Sequence, residues 1–234
     1  MILILLDMEY EPCYNSCMVR FSVNESFFDE INTEEKAYIL GFICADGYLI
    51  KNGFGIDVNY IDEQILHRIY NAMQYNGNIR TATHGMKRLC ITSKKLYNNL
   101  VKYGITRRKS YDLSSLNIEI PKDLQNHFVR GYFDGDGSLT HEKVGGKYHY
   151  TRNRIYIRGT KEFLEYIDGM VDTIFSWYYN KTYVIYISRK ERVKQFMKWL
   201  YNNATIYLER KHARYELMVS ATHLVTDESK IPSN

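Results

Sequence analysis

The sequence predicts an α+β protein built from two similar halves. Three observations predict this fold class: a helix-like segment that ends in Asp-Gly occurs twice, strand-like runs follow each copy, and a further helix-like segment separates those runs. The chain has 234 residues, of which 45% are apolar and 25% charged, which is typical of a globular protein with a core. No apolar run approaches the roughly 20 residues that cross a bilayer, so we expect no membrane partner.

The duplicated segments are EEKAYILGFICADGYLI at 34–50 and LQNHFVRGYFDGDGSLT at 124–140, and matching residues lie 90 positions apart. The first copy is followed in order by GFGIDVNY, DEQILHRIYNAM, GNIRTATHG, KRLCITS and LYNNLVKYGITRRKS. The second is followed by KYHYTRNRIYIRG, TKEFLEYIDGMVDTIF, KTYVIYIS and LYNNATIYLERKHA. Each half therefore reads helix–β–β–helix–β–β–helix.

These repeats predict the domain boundaries. We assign residues 1–30 to an N-terminal extension, 31–111 to the first half, 112–122 to a linker, 123–220 to the second half and 221–234 to a tail. The four cysteines lack the paired spacing of a zinc ribbon or a disulfide scaffold, which favours an intracellular location.

Small residues recur at helical spacing in both duplicated segments. Gly41 and Ala45 lie four residues apart, as do Gly131 and Gly135. Residues at this spacing share one helix face, and small side chains there let a second helix approach closely. The pattern therefore predicts that the two helices pack against each other about a pseudo-twofold axis.

Both helices are expected to end at an aspartate. Gly47 and Gly137 fit the left-handed residue that ends a helix, which places Asp46 and Asp136 at the negative ends of the two helix dipoles. Two carboxylates brought together there repel each other and favour a shared cation. Oxygen ligands indicate Mg²⁺ or a similar hard ion, such as Mn²⁺ or Ca²⁺.

The sequence resembles the LAGLIDADG homing endonucleases. LGFICADG and RGYFDGDG match the motif of that family, and the resemblance covers roughly residues 24–218. It departs from the usual motif at Cys44, where an acid is common, whereas the second copy has Asp134. The resemblance implies a monomer whose antiparallel sheets form a saddle on double-stranded DNA. It also implies that Asp46 and Asp136 are catalytic metal ligands, which the backbone carbonyls of Ala45 and Gly135 could join.

The resemblance further implies basic residues close to the metal. The matching ends of the two halves give Lys109 and Lys211 as catalytic candidates, and Lys51 is a further basic candidate. Net charge agrees with a polyanionic partner, since residues 1–78 carry −8 and residues 79–234 carry +12.

Strand alternation predicts which residues face DNA in the saddle. In FGIDVNY, the buried face would consist of Phe54, Ile56, Val58 and Tyr60. Asp57 and Asn59 would then lie on the outer face, and the same rule applies to the other strands. The predicted DNA-binding residues are Lys51, Asp57, Asn59, Arg80, His84, Arg88, Thr92, Tyr148, Tyr150, Arg152, Arg154, Tyr156, Arg158 and Tyr186. In this set Asn reads adenine and Asp accepts from cytosine.

The expected function is metal-dependent, site-specific hydrolysis of both strands of a long DNA target, as in intron homing. The alternative is a nucleic-acid-binding protein of the same fold without cleavage, such as an intron RNA maturase or a transcriptional regulator. DGDGS at 134–138 also resembles the signature of haloacid dehalogenase phosphotransferases, but a helix-like segment precedes it where a buried strand is required. An EF-hand fails because Leu139 and Gly145 occupy its glycine and glutamate positions.

Overall fold

The computed structural model describes residues 21–106, 117–144, 150–171, 176–180 and 182–228. Within these residues, each half contains the predicted order of helices and strands, so the α+β fold class is confirmed. The first half consists of α1 (Glu34–Asp46), β1 (Gly47–Ile50), β2 (Gly53–Val58), α2 (Glu63–Ala72), β3 (Ile79–Thr81), β4 (Lys87–Thr92) and α3 (Lys94–Lys102).

The second half repeats this order, with three longer strands and one further helix at its end. It consists of α4 (Gln125–Asp136), β5 (Gly137–Val144), β6 (Tyr150–Gly159), α5 (Lys161–Asp168), β7 (Ser176–Asn180), β8 (Thr182–Ile187), α6 (Lys190–Tyr201) and α7 (Glu209–Glu228). None of the helices in the described part of the chain has the length and apolar character needed to span a membrane.

Each half forms one four-stranded antiparallel sheet. The strand orders are β1-β2-β4-β3 and β5-β6-β8-β7, so the two sheets have the same topology. Their registers also correspond, because Gly47 pairs with Ile56 in the first sheet and Gly137 pairs with Ile157 in the second. Side chains alternate between the two faces of a strand, and the apolar face of each sheet packs on its helices.

The helices α1 and α4 occupy the centre of the molecule. Nine consecutive residues of α1, from Ala37 to Ala45, are buried. A helix that is buried all round must be covered by other elements on every side, here by its own sheet and by the other half. The side chain of Thr33 caps its first turn by accepting a hydrogen bond from the amide of Lys36.

Three details differ from the sequence predictions. Gly47 and Gly137 are extended, with φ of −76° and −89°, and not left-handed. Glycine is needed at 47 because a Cβ there would lie 2.8 Å from the carbonyl oxygen of Ile43. Strand β2 ends at Val58, and Tyr60, which we expected to be buried, is 63% exposed in a single-turn helix.

The predicted boundaries of the halves also need correction. Phe27 and Phe28, assigned to the N-terminal extension, are buried in the core of the first half, because the segment before α1 folds back over it. Helix α7 continues to Glu228 and so runs past the predicted start of the tail at 221. The predicted linker and extension lie partly outside the described residues.

Candidate functional site

The two central helices touch through their backbones. A Cβ added at Gly41 would lie 2.0 Å from the carbonyl oxygen of Phe128, and one at Gly131 would lie 2.0 Å from that of Tyr38. No side chain larger than hydrogen fits at either position unless a helix moves. The predicted packing through small residues is therefore present, and it is symmetric between the halves.

This contact brings the ends of α1 and α4 together. Asp46 and Asp136 are the last residues of the two helices. A Cβ at Gly135 would lie 2.3 Å from the Cβ of Ala45 and 3.1 Å from Oδ2 of Asp46, so the Asp46 carboxylate lies against the residue that precedes Asp136. Asp46 is partly exposed and Asp136 is exposed, which leaves both accessible from the outside of the protein.

The Tyr132 hydroxyl experiences the charge of both aspartates. Burial is the main reason that the pKa of Tyr132 lies well above its usual value, and the negative charges of Asp136 and Asp46 raise it further. The hydroxyl donates to the carbonyl oxygen of Arg158 at 2.7 Å. Tyr132 therefore stays neutral, and its hydrogen bond joins α4, close to the two carboxylates, to strand β6 of the second sheet.

Lys211 lies buried beneath this end of α4. Its ammonium group donates to the carbonyl oxygens of Phe133 at 2.5 Å, Gly137 at 2.6 Å and Asp134 at 2.7 Å. Burial lowers the pKa of Lys211 to about 8, while the carboxylates of Asp134 and Asp46 oppose that change. A cation at the carboxyl end of a helix offsets the negative end of its dipole. Lys211 therefore stabilises the helix end that carries Asp136, and its catalytic role stays a prediction. Lys109 lies outside the described residues.

The oxygen donors at the two helix ends fit a hard divalent cation. The described residues contain no cluster of three or more His, Cys, Asp or Glu side chains that would form a metal site by itself. Two carboxylates supplemented by carbonyl oxygens and water are the ligand set that Mg²⁺ accepts. Asp46 and Asp136 would hold such an ion, and the participation of the Ala45 and Gly135 carbonyls stays a prediction.

Residues 123–200 match the model of the LAGLIDADG-like domain family. The matched residues of the second half are therefore similar to a LAGLIDADG-like domain. The match covers a third of the sequence, and it includes α4 with Asp136 at its end. A search of curated protein sequences gives no match.

Solved structures extend the LAGLIDADG resemblance to both halves. The LAGLIDADG meganuclease I-AabMI, bound to uncleaved DNA, is 13% identical, with 82% of this chain and 91% of that chain covered and a TM-score of 0.61. Meganuclease I-CpaMI, bound to uncleaved DNA, is also 13% identical, with 82% and 92% covered and a TM-score of 0.60. I-SmaMI, bound to an uncleaved target in the presence of calcium ions, is 12% identical, with 82% and 92% covered and a TM-score of 0.58. The described residues of both halves thus have the fold of the LAGLIDADG meganucleases.

The outer face of the first sheet carries a polar cluster whose side chains are held by one another. Asp57 and Arg88 lie directly opposite each other on β2 and β4 and form a two-point ion pair, with N–O distances of 2.8 and 2.7 Å. The Tyr48 hydroxyl donates to the same Asp57 carboxylate at 2.9 Å. This hydrogen-bonded pair raises the pKa of Arg88 above its ordinary value. Sequence reasoning treated Asp57 and Arg88 as independent contacts, whereas the structure joins them.

The remaining predicted residues of the first half lie at the surface. Lys51, Asn59, Arg80, His84 and Thr92 are all exposed. Asn59 follows the end of β2, and its side-chain oxygen accepts from the amide of Ile61 and so caps the next turn. His84 has a positive φ of 56° in a turn between β3 and β4. Arg80 lies opposite Arg88 on the sheet.

The second sheet carries arginines and tyrosines on its outer face. Arg152 and Arg154 both pair with Glu142, at 3.5 and 3.0 Å, and the Arg154 guanidinium lies 5.6 Å from the ring centre of Tyr186. Tyr156 faces Tyr186 across the strands, with ring centres 5.1 Å apart. Arg158 is exposed. Tyr150 is the first residue of β6 and its side chain lies outside the described residues, as does Tyr148.

Sequence reasoning missed a buried polar network behind the aspartates. Asp134 accepts hydrogen bonds from the Tyr38 hydroxyl at 2.7 Å and from the amide of Leu208 at 2.8 Å, and burial raises the pKa of Asp134. Arg130 is fully buried, and it donates to the carboxylate of Glu34 at 2.6 Å. The sequence did contain a signal of this network, because Arg130 and Asp134 are two charged residues, four apart, in a helix otherwise predicted to be buried.

Proposed function

We propose that this protein is a site-specific DNA endonuclease that hydrolyses both strands of a long double-stranded target with divalent metal ions. The observation that carries the proposal is the close approach of the Asp46 carboxylate to Gly135, beside Asp136, at the junction of two sheets with the same topology. One carboxylate from each half suits a reaction that must be performed once on each strand. The meganucleases I-AabMI and I-CpaMI, bound to uncleaved DNA, share the fold and support this substrate.

The residues of this chain would divide the work of hydrolysis. When bound, Mg²⁺ would activate water and neutralise charge at the scissile phosphate, and Mn²⁺ or Ca²⁺ could occupy the same position. Asp46 and Asp136 would hold the ions at the helix ends. Lys211 would keep the end of α4 rigid through its three carbonyl contacts. Fixed geometry matters because a small displacement of a catalytic group costs much of the rate.

The basic and aromatic residues of the two sheets would bind the DNA. Arginine contacts phosphates and guanine, and aromatic side chains pack against sugar and base. The exposed Arg80 and Arg158 lie on the outer faces of different sheets, so one continuous duplex would contact both halves. A single chain with both halves would act as a monomer on an asymmetric target, and its location would be intracellular, with the DNA.

Cleavage by Asp46→Asn and Asp136→Asn variants tests the proposal. The wild-type protein is incubated with Mg²⁺ and a plasmid library of random inserts, and the ends of linear products are sequenced. We expect both variants to lose double-strand cleavage and to keep DNA binding. The exposed Asp123→Asn variant is the matched control and should cut like wild type. Wild-type cutting by either motif variant would contradict the assignment.

The second candidate is a nucleic-acid-binding protein of the same fold without cleavage. The ion pairs on the outer faces of both sheets hold charged side chains in place, which favours a surface formed for binding. Such a surface needs no metal. The same library separates the two candidates. Recovery of one preferred duplex, with no linear product in either Mg²⁺ or Mn²⁺, would favour the binding protein.

A further inference from the structure

The first sheet holds one arginine in a fixed orientation on its outer face. Arg88 donates from Nε to Oδ1 of Asp57 at 2.8 Å and from Nη2 to Oδ2 at 2.7 Å. The two side chains remain accessible, with 33% of Arg88 and 25% of Asp57 exposed. A guanidinium held at two points cannot rotate freely about its last bonds.

The contact with Asp57 determines which edge of the guanidinium is presented. A guanidinium has a side edge formed by Nε and one terminal nitrogen, and an end edge formed by both terminal nitrogens. Asp57 occupies the side edge, so the end edge is turned away from the carboxylate. That edge offers two parallel N–H donors, which match the O6 and N7 acceptors that guanine presents in the major groove.

Two further contacts make this arrangement rigid. The Tyr48 hydroxyl donates to Oδ1 of Asp57 at 2.9 Å and so adds a third hydrogen bond that holds the carboxylate. The ring of Tyr48 lies over Gly55, where a Cβ would come within 2.4 Å of Cζ, so only glycine lets the tyrosine reach Asp57. A donor that is already ordered loses less conformational entropy when it binds.

The second sheet has no matching pair at the same place. The registers of the two sheets align Ile56 with Ile157 and Leu89 with Ile185. One residue further along, Asp57 corresponds to Arg158, and Arg88 corresponds to Val184. Valine has no polar atom to contact a base edge, so the two halves would read different base pairs at this position.

We propose that Arg88 is a specificity-determining residue that reads a guanine in the half of the target covered by the first sheet, with Asp57 as its positioning residue. This inference rests on the proposed function, because it requires a DNA duplex on the sheets. It replaces the expectation that Asp57 itself accepts from cytosine, since both oxygens of Asp57 already accept from Arg88. The target would be asymmetric, with a G·C pair demanded on one side only.

Selection of bound duplexes from a random library tests the inference. The wild-type protein and the Arg88→Lys, Asp57→Asn and Arg158→Lys variants are each incubated with the library in EDTA, and bound duplexes are sequenced. Wild type should demand one G·C pair, and Arg88→Lys, which lacks two parallel donors on a planar edge, should discriminate at that pair about 10-fold or more less strongly. Asp57→Asn should weaken the same preference, and Arg158→Lys should leave that base pair unchanged.

A modified base gives the deciding measurement. Replacing the selected guanine with 7-deazaguanine removes the N7 acceptor and keeps base pairing. We expect wild-type affinity to fall about 5-fold or more and the affinity of Arg88→Lys to change less than about 2-fold. Equal losses for both proteins, or an unchanged G·C preference in Arg88→Lys, would overturn the role of Arg88 and leave the nuclease proposal standing. Failure of wild type to enrich any duplex would overturn both.

Discussion

The guanidinium of Arg130 and the carboxylate of Glu34 meet 2.6 Å apart across the two halves of the molecule. Glu34 begins α1, whereas Arg130 lies in the middle of α4. The same carboxylate accepts from the amide and the hydroxyl of Thr205, which follows α6. One acidic side chain therefore connects the first half to two segments of the second.

Removing the charge of Glu34 should destabilise the protein. Glu34→Gln removes the carboxylate that pairs with the buried guanidinium of Arg130, and breaking a buried pair in this way costs about 3 kcal/mol. We expect the melting temperature to fall by roughly 6–12 °C for a chain of this size. The neighbouring Glu35→Gln variant is the control, because no ion pair is found for Glu35 within the described residues. Equal melting temperatures of Glu34→Gln and Glu35→Gln would contradict the role of Glu34.

The contact between the central helices should not tolerate a methyl group. Gly131→Ala would place a Cβ 2.0 Å from the carbonyl oxygen of Tyr38, and relief of that overlap requires the two helices to separate. Overpacking of this kind costs about 1–3 kcal/mol, and Gly41→Ala should behave alike because its environment is equivalent. Urea unfolding measures the loss.

Gly169 provides the matched control for the helix contact. Its φ of −63° is helical, and the atoms nearest to an added Cβ are carbonyl oxygens at 3.5 and 3.7 Å. Gly169→Ala should leave stability unchanged or raise it by up to about 1 kcal/mol, because alanine restricts the unfolded chain. Equal free energies of unfolding for Gly131→Ala and Gly169→Ala would contradict the close approach of the two central helices.

The sequence predicted the repeated fold and the small-residue contact because both depend on local spacing. Gly41 and Gly131 signal a close helix contact by their own size, and Asp46 and Asp136 follow at the ends of the same helices. The pairing of Asp57 with Arg88 was not predictable in the same way. It depends on the register between β2 and β4, which lie 31 residues apart in the chain at this pair. Alternation identifies the face of a strand but not its neighbour on the next strand.

The Lys211 contacts show a second limit of sequence reasoning. The family resemblance implied basic residues close to the metal, and the matching ends of the two halves gave Lys109 and Lys211 as the candidates. The structure directs the ammonium of Lys211 to three backbone carbonyls, an arrangement that depends on how α7 crosses the end of α4. Sequence patterns identify the residue but not the direction of its side chain.

Arg158 should contribute to DNA affinity through charge. It is exposed on the outer face of the second sheet, and loss of one phosphate contact reduces the slope of log K against log salt by about 0.9. We expect Arg158→Gln to weaken binding by a similar factor on DNA duplexes of different sequence, because a phosphate contact does not depend on the base. Lys161→Gln removes an exposed charge from α5, which packs beneath that sheet, and should keep the wild-type slope. An unchanged slope for Arg158→Gln would place the residue outside the contact.

The stability contributed at Lys211 should increase with pH. The pKa of Lys211 is lowered from 10.5 to about 8 by burial, so between these values the folded protein has released a proton that the unfolded chain still binds. The free energy of unfolding rises with pH where the unfolded state binds more protons. Relative to Lys211→Met, which has no titrating group, wild type should gain up to about 3 kcal/mol between pH 8 and 10.5. Urea unfolding at pH 7, 8, 9 and 10 measures the difference. A difference between the two proteins that stays constant over this range would show that folding leaves the pKa of Lys211 at its ordinary value.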